Sequence, residues 1–281
     1  MGKEFFVIDP LAKGWHVKAR REKPPEYPER FAVPDDFVLW ETDYPGYDPP
    51  YYVSPVVQKN DCTKNPDGWA DPEDISEMSE IPLESFAGPL KFDEAGRPLN
   101  PVGRTGIAGR GLLGKWGPNY AADPIITRIN VETGQVEMLA VQRRDNGQWA
   151  IPGGMVDKGE EVSKTLAREL QEETGVVLDM GAGHLIYRGY IDDPRNTDNA
   201  WMETTAKHLH LSGETAARVN LRAGSDAKAV RWLPLVPETV HNLYASHCAL
   251  VKATLSGLIR MDDADVSESA KEKIERLLNS L

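Results

Sequence analysis

The stretch "RELQEETG", residues 168–175, places three carboxylates, Glu169, Glu172 and Glu173, within five residues, with Arg168 in front and Gly175 behind. With the residues before it, "EEVSKTLA", it places Val162, Leu166 and Leu170 at helical spacing, and Gly175 supplies a natural stop. At about 100° per residue counted from Val162, the apolar Val162, Leu166 and Leu170 fall near about 0°, 40° and 80°. Glu169 and Glu173 fall near about 340° and 20°, beside the apolar stripe, and Glu172 near about 280°. A solvated helix turns its acids away from the core; this one points two toward it. Two like charges four residues apart cost a few tenths of a kcal/mol when exposed and more when desolvated. A divalent cation removes the conflict, because hard ions such as Mg²⁺ take oxygen ligands, often carboxylates together with substrate phosphate. Acids at a helix end are common, so spacing alone also suits an ordinary polar terminus.

The flanks narrow the reading. From Gly154 the pattern runs five residues to Glu160, seven more to Arg168-Glu169-Leu170, one to Glu172-Glu173, and one to Gly175-Val176. This resembles the Nudix box at every position. The resemblance implies a Nudix fold, an α/β/α sandwich with a mixed sheet, and hydrolysis of a nucleoside diphosphate linked to another group. It implies Glu169, Glu172 and Glu173 as catalytic metal ligands and the Gly154 carbonyl as a further ligand. Glu160 would pair with Arg168, with Gly175 closing the motif. The implied cofactor is Mg²⁺, with Mn²⁺ able to stand in. The chemistry agrees: water must attack a phosphorus shielded by negative charge, and divalent ions neutralise that charge and lower the pKa of bound water.

Outside the box, "NPVGRTGIAGRGLLGKWGPNYAADPIITR" (100–128), "YRGYIDDPRNTDNAWMET" (187–204) and "LYASH" (243–247) resemble one subfamily. It holds ADP-ribose pyrophosphatases and the ADP-ribose-sensing Nudix domain of melastatin-type TRP cation channels. The early stretch from His16 to Tyr52 looks more like the channel domain, whereas the intact box departs from the degraded box of vertebrate channels. The implied reaction is ADP-ribose to AMP and ribose 5-phosphate. The implied substrate contacts are Asp192, Asn196 and Asp198 in "DDPRNTDN", Arg231 beside Trp232, and Tyr244 and His247 in "YASH". Asp226 stands where related enzymes often place a general base. Plainer readings remain for each: a tight Asp/Asn/Pro loop, an exposed strand arginine, a core tyrosine and a surface histidine at a helix start. Three wider alternatives also stand: a stand-alone pyrophosphatase, a ligand-sensing module in which binding alone matters, and a Nudix hydrolase for another substrate.

Proline divides the chain: 15 of 21 fall at or before Pro101. "RREKPPEYPERFAVPDDF" and "YPGYDPPYYVSP" are not expected to be regular helix. The aromatics mixed into this part of the chain, Trp15, Phe31, Trp40, Tyr44, Tyr47, Tyr51 and Tyr52, argue for order rather than a linker. Residues 1–121 therefore read as a loop-rich lobe with short strands, 122–260 as the Nudix domain, and 261–281 as an amphipathic helix that packs on the body or on a partner. In the glycine-dense segment 102–119, Arg104, Arg110 and Lys115 suit either phosphate contact or a tight loop. Expected strands are "PIITRINV", "VEMLAVQRR", "WAIPGG", "HLIYRGYID", "WMETTAKHLHL" and "AKAVRWLPL", with a helix over "LYASHCALVKATLSGLI".

The formal net charge of −12 disfavours nucleic acid and anionic membranes as partners, so an anionic ligand needs a local basic or metal-containing pocket. Two distant cysteines make a zinc site unlikely and fit a reducing compartment. No apolar run approaches the length of a membrane span, and the first residues match neither a secretory signal nor a transit peptide. The chain reads as cytoplasmic, with ADP-ribose as small-molecule partner. The channel resemblance would add the other domains of a channel tetramer and a place on its cytosolic face.

Overall fold

The computed structural model describes residues 16–78, 85–157, 159–224, 227–261 and 266–281. Of these, 16–120 with 189–203 make one compact unit, and 121–188 with 204–281 make another.

The first unit holds short elements: helix α1 (Val17–Arg21), strand β1 (Tyr51–Val53), helix α2 (Pro55–Lys59), and strands β2 (Lys91–Phe92), β3 (Pro98–Leu99) and β4 (Ala108–Gly111). Helix α1 takes Arg20 and Arg21 from a stretch expected to be non-helical and ends before Pro24. Ser54 caps α2, accepting from the Val56 amide, and Pro55 follows at the first turn, where its missing N–H costs nothing. β1 and β4 pair in parallel and β2 with β3 antiparallel. Aromatic rings supply much of the packing: Phe37 stacks on Tyr44 at 4.4 Å, and Phe31 stands edge-on to Tyr44 and Tyr47.

The glycine-dense segment is resolved in favour of packing. Arg104 is buried, donates to the carbonyls of Phe37 (2.9 Å) and Leu39 (2.6 Å), and lies over the Trp40 ring at 4.9 Å. Arg110 is fully buried and donates to the carbonyls of Asp71 and Gly114 and to Glu73. Lys115 pairs with Asp71 at 3.1 Å. Gly106, at φ 85°, sits so near the Phe31 carbonyl that a Cβ would lie 2.2 Å from it. Arg104 and Arg110 serve the unit's own carbonyls and Lys115 its Asp71 carboxylate, so the segment is a packed loop rather than a phosphate cradle.

The second unit holds most of a mixed sheet, some of whose strands begin or end in the residues of the first. Its strands are β5 (Gly117–Ile129), β6 (Val136–Arg143), β7 (Trp149–Ala150), β8 (Gly154–Met155), β9 (His184–Tyr190), β10 (Ala200–Leu211) and β11 (Ala227–Pro234). The order is β11-β6-β5-β10-β9, with β7 beside β6 and β8 beside β5. Helices are α3 (Val162–Thr174), α4 (Gly213–Ala217), α5 (Pro237–His241), α6 (His247–Arg260) and α7 (Glu268–Ser280). Leu166 and Leu170 of α3 are buried with Ile126, Leu139, Met180 and Leu211, which fixes the box helix to the sheet. Helix α7 packs on α6 and buries Ala270, Ile274 and Leu277. Its cap is Ser267, which accepts from the Ala270 amide, and Lys252 of α6 donates to the Leu281 carbonyl. Packing on the body is thus the outcome for this helix.

On β5 and β10, the Thr127 hydroxyl lies 2.7 Å from His208 Nε2 and 2.8 Å from His210 Nδ1. Burial holds His208 down to about 3. In the first unit burial, then the Arg20 charge, holds His16 down to about 3. Both stay neutral in the fold, while the unfolded chain takes up protons near pH 6.5. Stability conferred by neutrality is therefore present above about pH 6.5 and declines as pH falls toward 3. The slope is about 1.4 kcal/mol per pH unit per histidine. Urea unfolding at pH 7 and pH 5 is expected to show a loss of about 2 kcal/mol from each. His208→Gln should remove its share of that loss; an unchanged pH slope in this variant counts against the assignment.

Candidate metal and phosphate site

Helix α3 presents the box as its sequence periodicity demands. Glu169 is 9% exposed, Glu173 is half-buried and Glu172 is exposed. Gly175 ends the helix at φ 74°, a left-handed turn that a side chain resists, and its amide bonds the Gln171 carbonyl at 2.8 Å.

Two glycines before the helix meet two of its carboxylates. The Gly153 amide donates to Glu173 Oε2 at 3.0 Å. A Cβ on Gly154 would fall 2.4 Å from the Glu169 carboxyl carbon, so the bare backbone there leaves the carboxylate room to lie against it. Arg168 joins the rest. It donates to both oxygens of Glu160 (3.1 and 3.0 Å), to Glu169 (2.7 Å), to Glu172 (3.1 Å) and to the Met155 carbonyl (3.3 Å). Glu160 also accepts from the Thr165 hydroxyl. The Arg168 hydrogen bonds hold the Glu160 carboxyl down to about 2. Burial pushes Glu169 up, against the pull of Arg168.

This donor set suits a hard divalent cation: three carboxylates, one of them buried beside a bare glycine backbone. Among the described residues, no three acidic, histidine or cysteine side chains already converge as a finished metal shell. Glu169 and Glu172 turn to Arg168, and Glu173 turns to Gly153.

The end of α3 is held by a distant segment that sequence reasoning did not find. The Arg222 amide donates to the Thr174 carbonyl (2.8 Å) and the Gly224 amide to the Glu173 carbonyl (3.1 Å). A Cβ on Gly224 would stand 1.9 Å from the Glu172 carbonyl oxygen. The expected base, Asp226, lies outside the described residues.

Arg231, Tyr244 and His247 gather around residues 149–151. The Arg231 guanidinium lies 4.3 Å from the centre of the Trp149 ring, and the Tyr244 amide bonds the Trp149 carbonyl at 2.9 Å. Arg143 covers the Tyr244 ring at 4.0 Å, and His247 meets that ring edge-on at 5.7 Å. The Ile151 amide donates to His247 Nδ1 at 2.9 Å, which in the neutral ring leaves the proton on Nε2. Trp149 and Arg143 were not among the expected residues. An aromatic next to "IPGG" was the available signal for Trp149.

Asp192, Asn196 and Asp198 belong to the other unit and hold their own loop. Asp192 accepts from the amides of Lys18 and Ala19. Asn196, fully buried, donates to the Tyr190 hydroxyl and the Ile191 carbonyl and accepts from the Met202 amide. Asp198 accepts from the Tyr47 hydroxyl at 2.6 Å and from the amide and hydroxyl of Thr105. Burial pushes both Asp192 and Asp198 up. The tight-loop account of "DDPRNTDN" fits these contacts.

A family described as "NUDIX domain" matches residues 122–241, and one described as "NUDT9-like, N-terminal domain" matches 33–117. The chain is similar to a Caenorhabditis elegans protein provisionally described as nudix hydrolase 6, with 49% identity over 78% of this chain and 87% of the relative. It is 42% identical to the mitochondrial ADP-ribose pyrophosphatase of Rattus norvegicus, over 84% of this chain and 77% of that protein. A transient receptor potential cation channel, subfamily M member-like 2, of Nematostella vectensis is 40% identical over 84% of this chain; the matched region makes up 17% of the channel.

Proposed function

Because the chain belongs to the Nudix hydrolase family, we propose that it hydrolyses ADP-ribose to AMP and ribose 5-phosphate with Mg²⁺, or Mn²⁺ in its place. The observation that carries this is the contact between the box helix and the two glycines: Glu173 on the Gly153 amide, and Glu169 against Gly154. Similarity to an ADP-ribose pyrophosphatase over most of both chains supports the choice of substrate.

Glu169, Glu172, Glu173 and the Gly154 carbonyl are the groups that would hold the metal. A divalent ion, when bound there, neutralises the diphosphate and lowers the pKa of its water. Glu160 anchors Arg168, whose guanidinium draws Glu169 and Glu172 together and keeps their spacing fixed. Arg231, Tyr244 and His247, with Trp149, offer a flat ring, a cation and an N–H donor, a set suited to a nucleotide. Asp226 is assigned the proton of the attacking water on chemical grounds.

The test is incubation with ADP-ribose and Mg²⁺, with products separated by anion exchange. AMP and ribose 5-phosphate are expected in equal amounts, and EDTA is expected to stop their release. ADP-ribose binding without AMP would overturn hydrolysis in favour of a binding-only module. A second reading, a sensing domain of a cation channel, is favoured by the 40% identity to the Nematostella channel. It would place the domain on the cytosolic face of a channel tetramer, whereas a free enzyme would be cytoplasmic. No helix among the described residues is long and apolar enough to cross a membrane. A reading frame encoding a polytopic region upstream of Met1 would decide for the channel.

A further inference from the structure

We propose that Asp123, which lies outside the box, is a positioning residue that sets the affinity of the box for its divalent cation, acting through Gly153 and Glu173. Asp123 lies on β5 and is 9% exposed. The Thr204 hydroxyl of β10 donates to its Oδ2 at 2.5 Å and so fixes the carboxylate plane. Its other oxygen packs on Gly153: a Cβ there would lie 2.5 Å from Asp123 Oδ1 and 2.7 Å from the Ala122 carbonyl. One residue further, Gly154 pairs with Ala122 in the β5–β8 ladder. Gly153 is thus pressed against Asp123, while its amide carries the hydrogen bond to Glu173 Oε2 at 3.0 Å.

The chain of contacts runs Thr204, Asp123, Gly153, Glu173. Gly153 has no side chain to set its own orientation, so the surface it rests on decides where its N–H points. That N–H in turn orients a carboxylate assigned to the metal. Partners that orient a ligand in this way typically change metal affinity by about 10–100-fold when removed. Asp123 needs no contact with substrate or metal for this role.

The inference rests on the metal-dependent reading above, and the experiment separates the two. Mn²⁺ binding to the full chain is measured by the electron paramagnetic resonance signal of the free ion, alongside AMP release at varied Mn²⁺. Asp123→Ala is expected to weaken Mn²⁺ binding about 10–100-fold, with kcat at saturating Mn²⁺ kept within about threefold of the parent. Asp123→Asn, which keeps the shape, should recover much of the affinity. Thr204→Val, which leaves the carboxylate in place but loosens it, should weaken binding by a smaller factor and guards against misfolding of the alanine variant. Unchanged Mn²⁺ affinity in folded Asp123→Ala or Thr204→Val overturns the proposal. So does a loss confined to kcat. If the parent chain itself neither binds Mn²⁺ nor releases AMP, the metal-dependent reading falls, and the proposal falls with it.

Discussion

Glu173→Gln is expected to lower kcat for ADP-ribose hydrolysis by about 10²–10³-fold, with the fold intact. The substitution keeps the size of the side chain and its ability to accept from the Gly153 amide, so the loop before α3 stays seated. It removes one negative charge from the three carboxylates assigned to the cation. A loss of about 3–4 kcal/mol of transition-state stabilisation corresponds to that rate factor. The half-buried position of Glu173 means that solvent screens its charge less than that of exposed Glu172. Glu172→Gln should therefore lose less. Steady-state kinetics at saturating Mg²⁺ with thermal unfolding as a control would decide. A Glu173→Gln enzyme within tenfold of the parent would remove this residue from the metal set.

Gly224→Ala is expected to cost about 3 kcal/mol or more of stability and to reduce activity with it. The new methyl group would meet the Glu172 carbonyl at 1.9 Å and the Glu173 Cα at 3.1 Å. Both neighbours are backbone atoms in the last turn of α3, so neither can swing aside as a side-chain tip would. Overpacking of this kind typically costs about 1–3 kcal/mol. Separation also breaks two hydrogen bonds from residues 222 and 224 to helix-end carbonyls, each contributing about 1 kcal/mol. Carbonyls at a helix end otherwise have no partner within the helix. Because the displaced turn carries Glu172 and Glu173, kcat should fall too. Gly213→Ala is the matched control: its methyl would meet only Val131 Cγ1 at 3.5 Å. Equal unfolding midpoints for the two variants would show that the contact at Gly224 is not tight.

What was legible in advance was local. The apolar period of α3, the stop at Gly175 and the inward placing of Glu169 each follow from a dozen consecutive residues. Their burial matches the wheel. The Glu160–Arg168 pair spans eight residues of one motif and is present. Other features were not local. Strand β5 begins at Gly117, seven residues before the expected "PIITRINV", because ladder pairing with β8 holds Ala121 and Ala122 extended despite the poor strand signal of "GPNYAAD". Helix α5 is a single turn led by Pro237, too short to show a period. The holds on the site by Gly224, Asp123 and Trp149 join residues far apart in sequence, 51 for Gly224 and Glu173, 30 for Asp123 and Gly153 and 95 for Trp149 and Tyr244, and no spacing rule reaches across them. Arg104 and Arg110 show the limit from the other side. Composition makes a basic, glycine-rich loop look ready for phosphate, and only the carbonyls around those two guanidinium groups reveal their use.

The loop 189–203 travels with the first unit although the chain reaches it only after the box. Arg30 donates to the carbonyls of Pro194 and Asn196, the Tyr27 hydroxyl donates to the Arg195 carbonyl, and Tyr47 and Thr105 satisfy Asp198. A chain begun near residue 121 would keep every box residue but carry a loop stripped of these donors, with the Asp198 carboxylate and several carbonyls left to find water. The two matched families lie one after the other in sequence, yet a cut between them would strip the loop of its donors, so a transplant of the later part into another protein is expected to need residues 16–120 as well.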